Sequence, residues 1–120
     1  MLTGFVPWPE DVAESYRRAG YWRGERLGDL VRPWAAADPH RVALVAGARR
    51  ISYFALDRRA DRLAAGLHLM GIRAFDRVIV QLPNIPEFVE LALALFRIGA
   101  IPVFALPSHR AGEITYLCEQ

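Results

Sequence analysis

The chain contains no lysine. All 15 of its basic residues are arginines, set against 13 acidic residues in a chain of 120. Because a guanidinium stays protonated, the chain has no amine that could form a Schiff base. It also lacks a P-loop lysine and a GxGxxG turn after a strand, so the usual phosphate-binding signatures are missing. The net charge of only +2, with no basic face, argues against nucleic acid as a partner.

Cysteine is almost as scarce. Cys118 is the only one, which excludes a disulfide framework and a CxxC pair. A metal site made from Cys118 and the histidines His40, His68 and His109 is disfavoured, because no two of them have the spacing of a ligand pair. The first residues lack the pattern of a signal peptide, and charged residues, glycine and proline interrupt the apolar run 88–106. These absences predict a cytoplasmic protein without a metal and without a membrane span.

The residues that are present follow apolar patterns of both helices and strands. Helices are predicted at about 10–20, 26–37 and 53–70, and Pro33 is expected to kink or split the second. Residues 41–53, RVALVAGARRISY, read as two short strands around Gly47, forming a β-hairpin. Its core-facing residues are predicted to be Val42, Leu44 and Ile51. The long helix begins after a Ser52 cap, and its apolar stripe comprises Leu56, Ala60, Leu63, Leu67 and Met70.

The second half of the chain predicts a βαβ unit. Residues 77–82 and 101–106 are nearly continuous in apolar character, which is typical of parallel strands buried on both faces. The helix between them is predicted to start with a capping box of Asn84 and Glu87, and another helix is expected at 113–120. We therefore predict an α/β fold in which a β-hairpin and a parallel βαβ unit are packed by helices. So few strands leave sheet edges uncovered, so the chain is expected to be an incomplete part of a longer domain.

Ser108, His109 and Arg110 follow the second strand, at the edge where α/β sheets bind ligands. Adjacent loop residues point in different directions, and a triad would need a carboxylate from elsewhere, so no catalytic residue is assigned here. His109 and Arg110 are kept as candidates for the edge of a substrate pocket, or as residues that only lock the turn. Asp57 and Asp61, spaced i, i+4 among arginines, are interpreted as a solvated, ion-paired helix face.

Four segments carry a resemblance to a known family: FVPWPEDVAESYRRAGYW, RADRLAAGLHLMGI, DRVIVQLPNIPEF and ALFRIGAIPVFALPSHRAGEITYLCE. Together they look like the start of the 2,3-dihydroxybenzoate–AMP ligases, the aryl-acid-activating branch of the acyl-adenylate-forming superfamily. The QLPN and LFRIGA elements are shared with acyl-CoA ligases and nonribosomal adenylation domains. The W-P-E opening, Y-x-x-x-G-Y-W and ALPSHR are closer to the aryl-acid branch. The resemblance implies that residues 1–120 are the N-terminal segment of an AMP-binding (adenylation) large domain.

In function, the resemblance implies activation of 2,3-dihydroxybenzoate or salicylate with ATP and Mg²⁺, followed by transfer to the phosphopantetheine thiol of an aryl carrier protein in siderophore biosynthesis. In the family, ATP is held by a lysine-bearing, Ser/Thr/Gly-rich loop and other motifs that do not occur here. No catalytic, cofactor-binding or metal residue is therefore assigned. The segment alone, without the rest of the adenylation domain, is expected to be inactive and to bind no ATP. The alternatives are an acyl-CoA ligase of the same superfamily and a non-catalytic remnant or interaction module.

Overall fold

The computed structural model describes residue 4 and residues 6–119. The elements found within them are a mixture of helices and short strands, which confirms the predicted α/β class. None of the helices in this range is long and apolar enough to cross a membrane. In chain order the elements are α1 (Glu10–Arg18), a 3-10 turn (Leu27–Asp29), α2 (Arg32–Ala37), β1 (Val42–Ala46), β2 (Arg49–Ser52), α3 (Tyr53–Leu69), β3 (Arg77–Val80), α4 (Pro86–Ile98), β4 (Ile101–Phe104) and α5 (Ala111–Glu119).

Four aromatic side chains around α1 pack against one another. The rings of Trp8, Tyr16 and Trp22 lie with their centroids 5.4 to 6.3 Å apart, and Tyr21 lies 5.9 Å from Tyr16. The contacts are edge-on or tilted, as the quadrupoles of aromatic rings prefer. The backbone N–H groups of Tyr21 and Trp22 both donate to the carbonyl oxygen of Tyr16, at 3.0 and 3.3 Å. The segment before residue 23 therefore has an aromatic cluster of its own.

The segment predicted as one helix over 26–37 is two pieces, as expected from Pro33. The 3-10 turn ends at Asp29, and α2 starts at Arg32 with Pro33 in its first turn. Backbone N–H groups of a first turn have no acceptor within the helix, so a proline there costs no hydrogen bond. In this region Val31 packs against the core and Ala35 is buried, but two larger apolar side chains are not covered in the described part of the chain. Leu27 and Trp34 are each 55% exposed.

The β-hairpin forms as predicted, with one correction. Leu44 pairs with Ile51, and Ile51 is buried, but the register shifts between Val42 and Leu44. A bulge of this kind breaks the alternation of sides along a strand. Ala43 and Leu44 consequently pack on the core, while Val42 is 46% exposed. The prediction that Val42 faces the core is wrong.

Helix α3 begins at the predicted cap. The Ser52 hydroxyl oxygen accepts from the backbone N–H of Ala55 at 3.2 Å, satisfying one of the free donors of the first turn. The apolar stripe is buried at Leu56 and Ala60. It does not extend to Met70, which is 80% exposed because it follows the last helical residue, where the chain turns away.

Helix α4 begins one residue later than predicted. Ile85 rather than Asn84 precedes the first turn, and no side chain caps it, so the predicted capping box is wrong. Pro86 occupies the first helical position and has no N–H that would need a partner. Glu87 accepts instead from the Arg49 guanidinium at 2.8 Å. That bond, followed by a bond from its own backbone N–H, holds the pKa of Glu87 below its ordinary value.

The βαβ unit has the predicted parallel pairing. Val78 lies opposite Pro102 and Val80 opposite Phe104, with α4 as the connection. Val80 and Leu95 form the centre of a buried cluster between sheet and helix. Among the residues that the structure describes, however, the strands are mostly half-buried, and Phe104 is 49% exposed. Burial on both faces is therefore not found within this range.

A buried arginine joins α4 to α3 and to the 3-10 turn. The Arg97 side chain is only 5% exposed. It donates to the carboxylates of Asp57 and Asp61, the latter at 2.7 Å. It also donates to two backbone carbonyl oxygens, those of Asp57 at 2.8 Å and Gly28 at 2.9 Å. A buried charge is tolerated only when it is paired and hydrogen-bonded in this way.

This cluster corrects the reading of Asp57 and Asp61 as a solvated face. Both are ion-paired, as predicted, but with a residue 36 to 40 positions away, and the Asp57 side chain is only 14% exposed. Gly28 allows the close approach, because a Cβ at that position would lie 2.7 Å from the Arg97 backbone nitrogen. The local sequence of α3 contains no sign of this long-range partner.

We expect Arg97→Leu to destabilise the protein by about 3–5 kcal/mol, because it leaves the Asp57 carboxylate, which is only 14% exposed, without its charged donor and removes the bond to the Gly28 carbonyl. Denaturant unfolding followed by far-UV circular dichroism measures this. Arg62→Leu is the matched control: Arg62 is exposed and has no ion pair within residues 6–119, so its effect should stay within about 0.5 kcal/mol. Adding Asp57→Asn to Arg97→Leu should recover part of the loss. Equal free energies of unfolding for Arg97→Leu and Arg62→Leu would contradict the structural role of Arg97.

Candidate functional site

The carboxyl ends of β3 and β4 lie side by side, and a loop follows each strand. The last backbone bond between the two runs from the N–H of Ala105 to the carbonyl oxygen of Val80, at 3.0 Å. The loops 81–85 and 105–110 therefore leave the sheet at the same edge, as predicted. In open α/β sheets this is the edge that binds ligands.

Gln81 connects the two loops. Its side-chain nitrogen donates to the carbonyl oxygen of Leu106 at 3.1 Å and to that of His109 at 2.9 Å. The sequence singled out QLPN only as a family element and gave Gln81 no role. The sequence did contain one sign of such a role, a polar residue at the end of an apolar strand. It could not show the partners, because they lie 25 and 28 positions away.

Ser108, His109 and Arg110 form the turn that precedes α5. Ser108 and Arg110 are exposed, and His109 is half-buried. Within residues 6–119 the ring atom Nδ1 of His109 is buried without a hydrogen-bond partner, so it forms no relay with the neighbouring hydroxyl. The His109 backbone N–H donates to the carbonyl oxygen of Leu106 at 3.0 Å, closing the turn. A role of His109 and Arg110 at the edge of a pocket stays a prediction.

Glu113 completes this edge from the first turn of α5. Its carboxylate accepts from the backbone N–H of Arg110 at 2.9 Å, the contact of a residue that reaches back over a helix start. Bonds from its own N–H and from that of Arg110 lower the pKa of Glu113, and attraction to His109 adds to the effect. The helix starts at Ala111, two residues before the predicted start, because Glu113 supports its first turn.

An open groove lies beside His109. It is lined on the α5 side by Gly112, Glu113, Tyr116 and Leu117. The Tyr116 side chain is 61% exposed, so the groove has an aromatic wall open to solvent. An imidazole, a carboxylate and a phenol ring thus border one surface at the ligand edge of the sheet.

The ATP and Mg²⁺ that the resemblance implies do not fit the residues of this edge. Magnesium binds carboxylate oxygens, and the carboxylate present, that of Glu113, is engaged at the start of α5. A triphosphate needs several converging cations or backbone N–H groups, whereas loops 81–85 and 105–110 offer one arginine, Arg110, whose backbone N–H is taken by Glu113. In residue 4 and residues 6–119, no three His, Cys, Asp or Glu side chains gather as a possible metal site, and His40, His68 and Cys118 are exposed.

Comparison with known families gives the class of the protein. A model described as "AMP-binding enzyme" matches residues 31–120. The chain belongs to this family of AMP-binding enzymes.

Two of the curated relatives are named as ligases of aryl acids. Over 119 residues the chain is 60% identical to the 2,3-dihydroxybenzoate-AMP ligase of Bacillus subtilis (strain 168), a match covering 99% of this chain and 22% of that protein. It is 49% identical to the salicyl-AMP ligase / salicyl-S-ArCP synthetase of Mycobacterium tuberculosis, over 94% of this chain and 21% of that protein. The apo structure of Mycobacterium smegmatis MbtA superposes with a TM-score of 0.91 at 46% identity, covering 97% of this chain and 22% of that one. The resemblance to the start of aryl-acid-activating ligases is confirmed, and the chain spans about a fifth of the length of these relatives.

We expect Glu113→Ala to loosen the start of α5, because it removes the acceptor of the Arg110 N–H, whereas Glu113→Gln keeps an acceptor and serves as the control. Amide hydrogen exchange of residues 110–114 should accelerate in the alanine variant and change little in the glutamine variant.

A carboxyl pKa that is lowered by folding stabilises the folded state above the ordinary glutamate pKa. This contribution is lost as the pH falls through the lowered value. A carboxyl titration of Glu113 by NMR with a midpoint at or above the ordinary value would contradict this assignment.

Proposed function

We propose that the chain is the N-terminal part of the large domain of a longer ligase that activates an aryl acid with ATP. The observation that carries the proposal is the 60% identity to a 2,3-dihydroxybenzoate-AMP ligase over 119 of the 120 residues. In the proposed reaction the aryl carboxylate attacks the α-phosphate of ATP, which yields the aryl-adenylate and pyrophosphate. The thiol of a carrier protein's phosphopantetheine then attacks the carbonyl carbon of the adenylate, which forms an aroyl thioester and releases AMP.

The first 30 residues support the aryl-acid branch over an acyl-CoA ligase. They lie outside the general family model, which begins at residue 31, yet the aryl-acid match omits only one residue of the whole chain. They are also the residues that contain the aromatic cluster of Trp8, Tyr16, Tyr21 and Trp22. The names of the relatives make 2,3-dihydroxybenzoate and salicylate the preferred substrates.

The role of this chain in the proposed enzyme is to provide the ligand edge of the β3–β4 sheet. The chemistry of the triphosphate and of Mg²⁺ is assigned to residues outside it, since the residues present do not fit those groups. His109 and Arg110 are proposed to border the substrate pocket, because they follow β4 at this edge and His109 Nδ1 is buried without a partner in residues 6–119.

The full-length protein is expected to catalyse ATP–pyrophosphate exchange that depends on an aryl acid. A panel of 2,3-dihydroxybenzoate, salicylate, benzoate and fatty acids of several lengths would measure this in the presence of Mg²⁺. Because loss of one specific hydrogen-bonding group from a substrate is strongly discriminated, hydroxylated benzoates should exceed benzoate by about tenfold or more in kcat/KM. Exchange with fatty acids alone would favour an acyl-CoA ligase. The absence of exchange with every acid would favour a non-catalytic module.

The 120-residue chain by itself is expected neither to bind ATP nor to adenylate an acid, because it has no lysine and only one arginine in the loops of its ligand edge. Isothermal titration calorimetry of the isolated chain with MgATP checks this, and the full-length protein is the positive control. Circular dichroism should first establish that the isolated chain is folded. Saturable heat from the isolated folded chain would show that a nucleotide site lies within these residues.

A further inference from the structure

Both donors of the Gln81 carboxamide are used by the loop that follows β4. The side-chain nitrogen donates to the carbonyl oxygens of Leu106 and His109, at 3.1 and 2.9 Å. A carbonyl oxygen only accepts, so both partners require the nitrogen, and not the oxygen, of the amide to face them. A glutamine fits this position because it offers two donors on one planar nitrogen without a charge. A glutamate of the same shape offers none.

The two side-chain bonds of Gln81 lie directly after the last backbone hydrogen bond between β3 and β4. The backbone bond from Ala105 to Val80 is the last one between the two chains, and Gln81 is the next residue after Val80. The side chain therefore extends the connection between strands into the loop. The Leu106 carbonyl accepts twice, from Gln81 and from the backbone N–H of His109, so the turn is held at both of its ends.

Packing contributes little to the shape of this loop. Ala105 is buried, but Leu106 is 60% exposed, and Pro107, Ser108 and Arg110 are exposed as well. A loop with so few buried apolar contacts keeps one conformation only if its hydrogen bonds hold it there. The two bonds from Gln81 and the turn bond of His109 are thus the main restraints on residues 106–109.

Loop 105–110 carries the imidazole of His109, which would not keep its position without restraints on the loop. The Nδ1 atom of His109 is buried and has no hydrogen-bond partner within residues 6–119. A buried nitrogen without a partner is unfavourable, and a free loop would turn it to water. The bonds from Gln81 to the His109 carbonyl oppose that movement and keep the imidazole beside the groove formed with Tyr116 and Leu117.

We propose that Gln81 is a positioning residue of the ligand edge: its carboxamide holds loop 105–110, and with it His109, in the conformation that the substrates of the ligase meet. The inference rests on the proposed function, since it needs substrates at this edge. Gln81 is exposed, so the loss of its bonds should affect the loop much more than the global stability. This difference separates a positioning role from a merely structural one.

The test uses the full-length ligase with Gln81→Glu and Gln81→Met, and Arg62→Leu as the control. Arg62 is exposed on α3, outside both loops of the ligand edge, and has no ion pair within residues 6–119. Three measurements are made on each variant: thermal melting, hydrogen exchange of peptides within 105–112, and the kinetics of ATP–pyrophosphate exchange, which give KM and kcat. Both Gln81 variants should keep a melting temperature within about 3 °C of the parent, since exposed substitutions change stability little.

In both Gln81 variants, exchange of the 105–112 peptides should be about tenfold faster, because the restraints on the loop are lost. KM for the aryl acid or for ATP should rise about five- to tenfold while kcat changes by less than about twofold, as expected when a binding surface is displaced. The glutamate variant should show the larger effect, because its carboxylate repels the two carbonyl oxygens. Arg62→Leu should match the parent in all of these measurements.

The outcomes separate the two proposals. If the parent enzyme shows aryl-acid-dependent exchange, and the Gln81 variants loosen the loop without changing either KM, the positioning role is wrong and the proposed function stands. If the peptides of 105–112 exchange at the parent's rate in Gln81→Glu, the bonds do not hold the loop and the inference is also wrong. If the parent enzyme shows no exchange with any aryl acid, the proposed function fails, and the positioning role fails with it.

Discussion

The fold of this chain depends on one buried cation. Four hydrogen bonds of the Arg97 guanidinium connect α4, which carries the arginine, to two other elements: α3 through Asp57 and Asp61, and the 3-10 turn through Gly28. The charge could not be buried without these partners, and they could not approach so closely without the glycine. The N-terminal third and the βαβ unit are joined at this point by electrostatics, while two separate apolar clusters, around Leu56 and around Val80, fill the rest of the core.

The ligand edge is built on a different principle. Around loop 105–110 there is little apolar burial, and polar side chains reach back to the backbone instead: Gln81 to two carbonyls and Glu113 to an N–H group. Such contacts define a shape while leaving the surface open. An edge of this kind suits a domain in which further residues complete the site, because its own groups are held in place but contain no metal cluster within the described residues.

Local patterns predicted most of the elements because their causes are local. The Ser52 cap, the stripe of α3 and the parallel strands depend on residues within a few positions of one another. The errors have causes that lie outside such windows. A bulge turned Val42 outward, Pro86 moved the start of α4 past Asn84, and Asp57 found its partner 40 residues away. At the candidate site the loop was predicted correctly, whereas Gln81 was missed because its role depends on which strands become neighbours.

All three tryptophans of the chain lie in its first 34 residues. Trp8 and Trp22 are in contact with each other, and Trp34 stacks on Tyr53 at the start of α3. Indole fluorescence from this chain is therefore an optical report on its N-terminal third, and on the junction with α3. Residues 35–120, which include the sheet edge of Gln81 and His109, contain no tryptophan. Tryptophan emission therefore does not report on that edge. A loop there could change its conformation completely while the emission spectrum of these indoles stays the same.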